Sequence, residues 1–108
     1  MIIDIEAKRP ILAYNTGGLS GPGIKPIAIK SVYDIYKAVK VPIIGTGGIT
    51  TGRDAIEMLM AGATAVGVGS AVYYHGMDVF KKMGDEMQEW MKMNKCKSLK
   101  ELIGAAHE

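Results

Sequence analysis

The sequence predicts an α/β fold built from parallel βα units. Three observations carry this. First, Val41–Gly45 and Thr64–Val68 are short apolar runs of strand length, and an unbroken apolar run marks a parallel strand covered on both faces. Second, each run leads into a glycine turn, at Gly47-Gly48 and at Gly69-Ser70. Third, helical periodicity flanks both runs, and strands alternating with helices give parallel units. Two parallel strands cannot make a sheet with both faces and both edges covered. The chain is therefore expected to be an incomplete piece of a larger domain.

In order along the chain, Met1–Glu6 and Pro10–Tyr14 are apolar stretches around Ala7-Lys8-Arg9. They read as a β-hairpin over 1–14, although the Asn-Gly or Asp-Gly pair that marks tight hairpins is missing. Asn15–Lys25 has four glycines in eleven residues and reads as a glycine-rich loop. Pro26–Val39 reads as a helix, with Pro26 in its first turn and one apolar stripe of Ala28, Val32, Ile35 and Val39. A strand over 41–45 follows, with Pro42 near its start, where a missing N–H is tolerated. The next helix is expected over Gly52–Ala61, capped by Thr51, with Asp54 at the capping-box position. Ala55, Met58 and Leu59 form its buried face, and Gly62 ends it. After a strand over 64–68, Ala71–Gly76 reads as a loop. A long helix over Met77–Met93 carries the stripe Phe80, Met83, Met87 and Trp90. Gly84 inside it costs about 1 kcal/mol relative to Ala. Ser98 and Glu101 make a capping box that opens a last helix, 99–106. Residues 26–108 thus read helix, strand, helix, strand, helix, helix, within one domain.

Composition narrows the function classes. The 108 residues are 48% hydrophobic and 22% charged, which is ordinary for a folded domain. A net charge of +2 gives no reason to expect nucleic acid. The single cysteine, Cys96, allows neither an internal disulfide nor a cysteine metal cluster, and a reducing cytoplasm is the expected compartment. No run reaches the ~18 apolar residues of a membrane span, and no signal peptide is visible at the N-terminus.

The glycine turns carry the chemistry. A strand-end turn that opens a helix presents backbone N–H groups and the positive end of the helix dipole, which together bind anions. Gly47 and Gly69 lie 22 residues apart, one αβ repeat, so adjacent strands would set the two turns side by side. Phosphate sites built from the last two strand loops are common in (β/α)8 barrels. A tight βα turn accounts for one such glycine pair; two of them one repeat apart favour an anion cradle. Neither turn is a dinucleotide fingerprint, since Thr50 and Val72 stand where the third glycine belongs, and there is no Gly-Lys-Ser/Thr of a P-loop. For Gly17-Gly-Leu-Ser-Gly21 the plain alternative is a surface loop.

Other residues favour structural roles. His75 reads as a solvated loop residue and His107 as part of a disordered end. Tyr73 and Tyr74 read as packing, the Met and Trp stripe as core, Cys96 as a resting thiol, and Lys92, Lys95, Lys97 and Lys100 as a solvated face. No metal-ligand cluster and no nucleophile–base pair is evident, so no catalytic and no metal residue is assigned.

Taken together, Gly17-Gly-Leu-Ser-Gly-Pro22 with Lys25-Pro-Ile-Ala28, Val41-Pro-Ile-Ile-Gly-Thr-Gly-Gly-Ile49 and Ala61-Gly-Ala-Thr-Ala-Val-Gly-Val-Gly-Ser70 resemble class 1 dihydroorotate dehydrogenase, most of all its NAD-linked type B branch. The Ile3-Asp-Ile-Glu6 and Arg9-Pro-Ile-Leu12 hairpin matches too. The resemblance spans essentially the whole chain but only about the last third of a family member. It implies the last βα units of an FMN-binding (β/α)8 TIM barrel, preceded by a β-hairpin. By this resemblance Gly21 contacts FMN, Gly47 and Gly48 bind its phosphate, and Gly69 and Ser70 complete the cradle. The family often has Thr where Ser70 stands. Its cysteine base, its flavin-contacting lysine and most of its orotate ligands precede the hairpin and are expected outside this chain. Cys96 is not that cysteine, and Asn15-Thr16 is not the family's Asn-Thr substrate pair. Met1 is then expected to be an internal methionine or an engineered boundary.

The resemblance thus implies FMN-dependent oxidation of dihydroorotate to orotate in pyrimidine biosynthesis. The chain alone is expected to be inactive. The implied partners are the rest of the barrel, an iron–sulfur/FAD electron-transfer subunit and further copies in a homo-oligomer. Two alternatives stay open: another FMN barrel, such as the pyrimidine-reducing domain of dihydropyrimidine dehydrogenase, or a non-catalytic phosphate-binding or assembly fragment.

Overall fold

A computed structural model describes residues 1–107. Two strands near the N-terminus, β1 (Ile3–Asp4) and β2 (Arg9–Pro10), pair antiparallel with Ile3 opposite Pro10. The hairpin is therefore far shorter than the 1–14 expected. Its turn is held by Asp4, whose carboxylate accepts from the N–H groups of Glu6 and Ala7 at 3.0 and 2.9 Å, and Lys8 takes the left-handed conformation with φ +53°. An Asx-type turn thus replaces the missing Asn-Gly.

The glycine-rich loop closes in a 3₁₀ turn over Pro22–Ile24 that runs directly into α1 (Lys25–Ala38). β3 (Ile44–Thr46) and β4 (Ala65–Gly67) pair parallel, with Gly45 opposite Val66. Both are three-residue strands, shorter than predicted, and β3 lies further along than the 41–45 expected. Between them, α2 (Gly52–Met60) starts at a full capping box. Asp54 N–H donates to Thr51 Oγ1 at 3.2 Å, and Thr51 N–H donates to the Asp54 carboxylate at 3.0 Å. Gly62, at φ +122°, ends the helix as expected.

Three elements differ from the sequence reading. Ala71–Gly76 is not a loop: α3 (Ser70–His75) occupies it and stops at Gly76, where φ is +74°. The long helix, α4 (Asp78–Met93), begins one residue later than predicted. The final helix 99–106 is instead two 3₁₀ turns, Leu99–Glu101 and Ala105–His107, broken by Gly104 at φ +78°. Ser98 does cap the first turn, through Lys100 N–H, but Glu101 reaches back to Lys97 N–H, so the capping box is not closed. From residue 26 onward the described residues thus hold four α-helices, as many as expected, but α3 is gained and the last expected helix is replaced by 3₁₀ turns.

The core lies between α2, α4 and the β3–β4 pair. Met58 is fully buried, with Ala55, Ala63 and Met83 around it, and a Cβ on Gly45 would stand 2.9 Å from that of Ala63. Gly52 lets α2 and α4 touch, because a Cβ there would lie 2.6 Å from Glu86 Cβ and 2.7 Å from Met83 O. Ile56, Leu59 and Leu102 form a second cluster that Trp90 and Cys96 partly cover. On α1 only Val32 of the expected stripe is buried, while Ile35 is exposed. Phe80 is exposed as well.

His107 is not part of a disordered end. Its Nε2 lies 2.9 Å from Ala61 O, and its ring stacks on Tyr33 at 3.9 Å. Tyr73 and Tyr74, read as packing residues, are instead exposed and meet edge to face.

The radius of gyration is 16.7 Å and the extents are 56 × 34 × 19 Å. A compact chain of this length has a radius near 13 Å. The excess fits a structure whose hairpin and outer faces pack on little else: Ile5, Ile11, Tyr14, Ile27 and Ile44 are all well exposed.

Candidate functional site

Because β3 and β4 run parallel, their carboxyl ends leave the sheet on the same edge. The end of β3 contributes Thr46, Gly47, Gly48 and Ile49, and the end of β4 contributes Gly67, Gly69 and Ser70. The loop Leu19–Gly21 and Ile24 face them. Together they line an open cleft of about 280 Å³. All five residues singled out from the sequence, Gly21, Gly47, Gly48, Gly69 and Ser70, lie in it.

The glycines are needed for different reasons. Gly47 and Gly48 have φ of +138° and +71°, where any Cβ strains the backbone. A Cβ on Gly47 would stand 2.5 Å from Ala28 Cβ; one on Gly48 would stand 2.7 Å from Gly21 O and 2.9 Å from Lys25 N. What these two glycines approach so closely is the chain's own 21–28 segment. Gly69 differs, since nothing lies within 4 Å of where its Cβ would be.

The helix N-terminus at the cleft is that of α3, which begins at Ser70 with no side-chain cap. The expectation that α2 also aims its N-terminus there does not hold. Its first donors are already used: Gly52 N–H donates to Glu86 Oε2 at 2.6 Å, and Thr50 and Thr51 N–H donate to Asp54 Oδ2 at 3.0 Å. Residues 50–52 do not line the cleft.

No charged side chain lines the cleft either. Its polar groups are backbone amides and the hydroxyl-bearing Ser20, Thr46 and Ser70, beside apolar Leu19, Ile24 and Ile49. Such a donor set, without a carboxylate, suits an anion held by N–H and O–H groups with an apolar body attached. Among the described residues no three His, Cys, Asp or Glu side chains gather as a metal site, and no helix is long and apolar enough to cross a membrane. His75 ends α3 outside the cleft. Cys96 Sγ donates to Ser98 O at 3.3 Å, away from it.

Behind the cleft lies a network that sequence reasoning missed. Lys25 Nζ donates to Asp54 Oδ1 and Glu57 Oε2, each at 2.7 Å. Bonds to Asp54 first and Glu57 second raise the Lys25 pKa. Burial alone would push the Asp54 carboxyl up, but hydrogen bonds from Lys25, Thr50 and Thr51 outweigh it and hold Asp54 well below its ordinary value of 3.8. A carboxylate with a depressed folded pKa contributes stability above its unfolded value, and that stability is lost as pH falls through the folded one. Asp54→Asn is therefore expected to lower the thermal midpoint at neutral pH and to flatten its decline below about pH 4. A variant whose midpoint tracks the parent's through the acid range would contradict this. The only sequence signal was the capping-box position of Asp54; nothing local pointed across 29 residues to Lys25.

Comparison with known proteins fits this architecture. The dihydroorotate dehydrogenase family model matches residues 1–91. The dihydroorotate dehydrogenase B (NAD(+)) catalytic subunit of Methanocaldococcus jannaschii is 56% identical over all 108 residues, which are 35% of its length. That of Pyrococcus horikoshii is 52% identical over 104 residues, 96% of this chain and 34% of its own. Among solved structures, ligand-free dihydroorotate dehydrogenase from Eimeria tenella superposes with a TM-score of 0.82 at 36% identity, over 95% of this chain and 29% of that one. The same enzyme in complex with ferulenol gives 0.82 at 35%, over 100% and 29%. The chain thus spans about a third of the length of the curated relatives it matches. With a family match over most of its length and a mixed α/β structure that superposes on two solved members, the chain belongs to the dihydroorotate dehydrogenase family, a family of oxidoreductases.

Proposed function

We propose that this chain forms the flavin-phosphate end of a (β/α)8 barrel that oxidises dihydroorotate to orotate in the cytoplasm, with FMN as the flavin. The observation that carries the reading is the meeting of three glycine segments in one cleft at the carboxyl ends of two parallel strands. In barrels of this kind the last two strand loops and the N-terminus of a short extra helix often hold a phosphate, and α3, six residues long, starts at the cleft.

In this reading Gly47 and Gly48 offer backbone donors to the phosphate, and Gly69 and Ser70 offer the first donors of α3. Gly21 closes the third side. Leu19, Ile24 and Ile49 keep water from the neighbouring apolar part of the ligand. FMN supplies the electron acceptor for the dehydrogenation. The proton-abstracting base must stand within about 3 Å of the substrate carbon, and it belongs to the preceding part of the barrel. An iron–sulfur/FAD subunit would take up the electrons, in keeping with relatives whose names specify NAD(+) and a catalytic subunit. The catalytic unit is a homo-oligomer.

The test is a graft. This chain replaces the matching segment of the Methanocaldococcus jannaschii catalytic subunit, with which it aligns over its full length. The purified graft is expected to carry flavin absorbance and to reduce a dye when given dihydroorotate. A folded graft that holds no flavin would overturn the proposal.

A further inference from the structure

We infer that Lys25 and Asp54 are positioning residues that set the Gly47–Gly48 turn for a phosphate without touching it. The inference rests on the flavin-phosphate reading above. Lys25 connects two segments, the Gly47–Gly48 turn and α2. Its backbone N and Cβ lie 2.9 and 2.8 Å from where a Gly48 Cβ would stand, and Gly21 O lies 2.7 Å from the same point. Its Nζ reaches α2, donating to Asp54 and Glu57 at 2.7 Å each.

Asp54 completes the link from the other side. One carboxylate oxygen accepts from Lys25, and the other accepts from Thr50 N–H at 3.0 Å, Thr50 Oγ1 at 2.8 Å and Thr51 N–H at 3.0 Å. The glycine turn is therefore tied at both ends. β3 fixes Thr46 on one side, Asp54 fixes Thr50 on the other, and Lys25 packs against the middle.

The arrangement also has an electrostatic side. Asp54 and Glu57 are two carboxylates close behind an anion cradle that has no charged side chain of its own. Lys25 pairs with both. Removing its charge would leave them unneutralised and would cut the tie from Lys25, packed on the Gly48 turn, to α2, and each effect weakens the hold on a dianionic phosphate.

A phosphate-specific comparison in the graft described above tests this. The probes are FMN and riboflavin, which share the isoalloxazine ring and ribityl chain but differ in the phosphate. Lys25→Met is expected to weaken FMN binding about tenfold, the low end of what loss of a supporting partner costs at a built ion site. Riboflavin binding should change by less than about twofold by the same reasoning. Lys25→Arg keeps the charge and the reach and should restore FMN affinity. Lys30→Met, on the exposed face of α1, serves as control. The ³¹P resonance of bound FMN should move in Lys25→Met and return in Lys25→Arg. Equal losses for FMN and riboflavin would mean that Lys25 merely holds the fold, and unchanged FMN affinity would mean that it does not act on the turn; either result overturns the inference. If Lys25→Met does not fold, Lys25→Gln decides on the same criterion, since it removes the charge but keeps a side-chain donor for Asp54. A parent graft that folds but binds no FMN overturns the flavin reading and, with it, the positioning role.

Discussion

Gly48→Val in the grafted barrel is expected to lower FMN affinity by about two orders of magnitude, from strain of roughly 1–3 kcal/mol together with steric displacement of the turn. The backbone there has φ +71°, which a β-branched residue adopts only under strain. The added Cβ would also press on Gly21 O, Lys25 Cβ and Lys25 N, at 2.7 to 2.9 Å. Two of these atoms are backbone and cannot swing aside. The turn must move, and its amides move with it. Lys92→Ala, near the end of α4, touches none of this and should leave FMN affinity unchanged. Equilibrium titration of apoprotein with FMN measures both variants. Equal affinity in Gly48→Val and its parent would remove these glycines from the flavin site.

The second large effect concerns the chain by itself. It is expected to show no dihydroorotate-dependent dye reduction, and to self-associate instead of remaining a monodisperse monomer. The described residues contain only two parallel strands, and each keeps an unpaired edge. Ile44 in β3 is 73% exposed, and the hairpin presents Ile3, Ile5, Ile11 and Tyr14 to solvent. Large apolar side chains left exposed in this number favour association. The catalytic argument is independent of the stability argument: proton abstraction needs a base within about 3 Å of the substrate carbon, and in the proposed reading that base belongs to the preceding part of the barrel. Sedimentation and a dye-linked assay with added FMN test both parts. A monodisperse monomer that turns over dihydroorotate would refute them together.

The sequence made legible what local rules govern. The Thr51–Asp54 capping box, the Gly62 stop and the buried face Ala55, Met58 and Leu59 follow from spacing alone, and the structure has all of them. Gly47, Gly48, Gly69 and Ser70 were legible because strand–glycine–helix units repeat and because parallel strands end on one edge, whereas Gly21 came only from the family resemblance. Three things were not legible, each for a physical reason. α3 is six residues long, too short for periodicity to register, and its paired tyrosines favour extended structure on propensity. Which residues of the α1 stripe are covered, Val32 but not Ile35, was not legible because amphipathicity shows that a face is apolar, not that anything covers it. The anchoring of His107 depends on Tyr33 and on Ala61 O, which no local window contains.

The bond from Gly52 N–H to Glu86 Oε2 bears on how the domain comes together. An α-helix normally finds its first partners within a few residues, as α2 does at Thr51 and Asp54. Here one opening amide of α2 is satisfied only when α4 has docked, 34 residues later in the chain. Gly52 also permits that docking, having no Cβ to hold the helices apart. The start of α2 and the middle of α4 thus form one cooperative unit that opens as a whole rather than fraying end by end. Hydrogen exchange at the Gly52 amide reports the undocking of α4, whereas protection deeper in α2 reports the loss of the helix itself. Slow exchange at Gly52 in a variant lacking the Glu86 carboxylate would show that the two events are not linked.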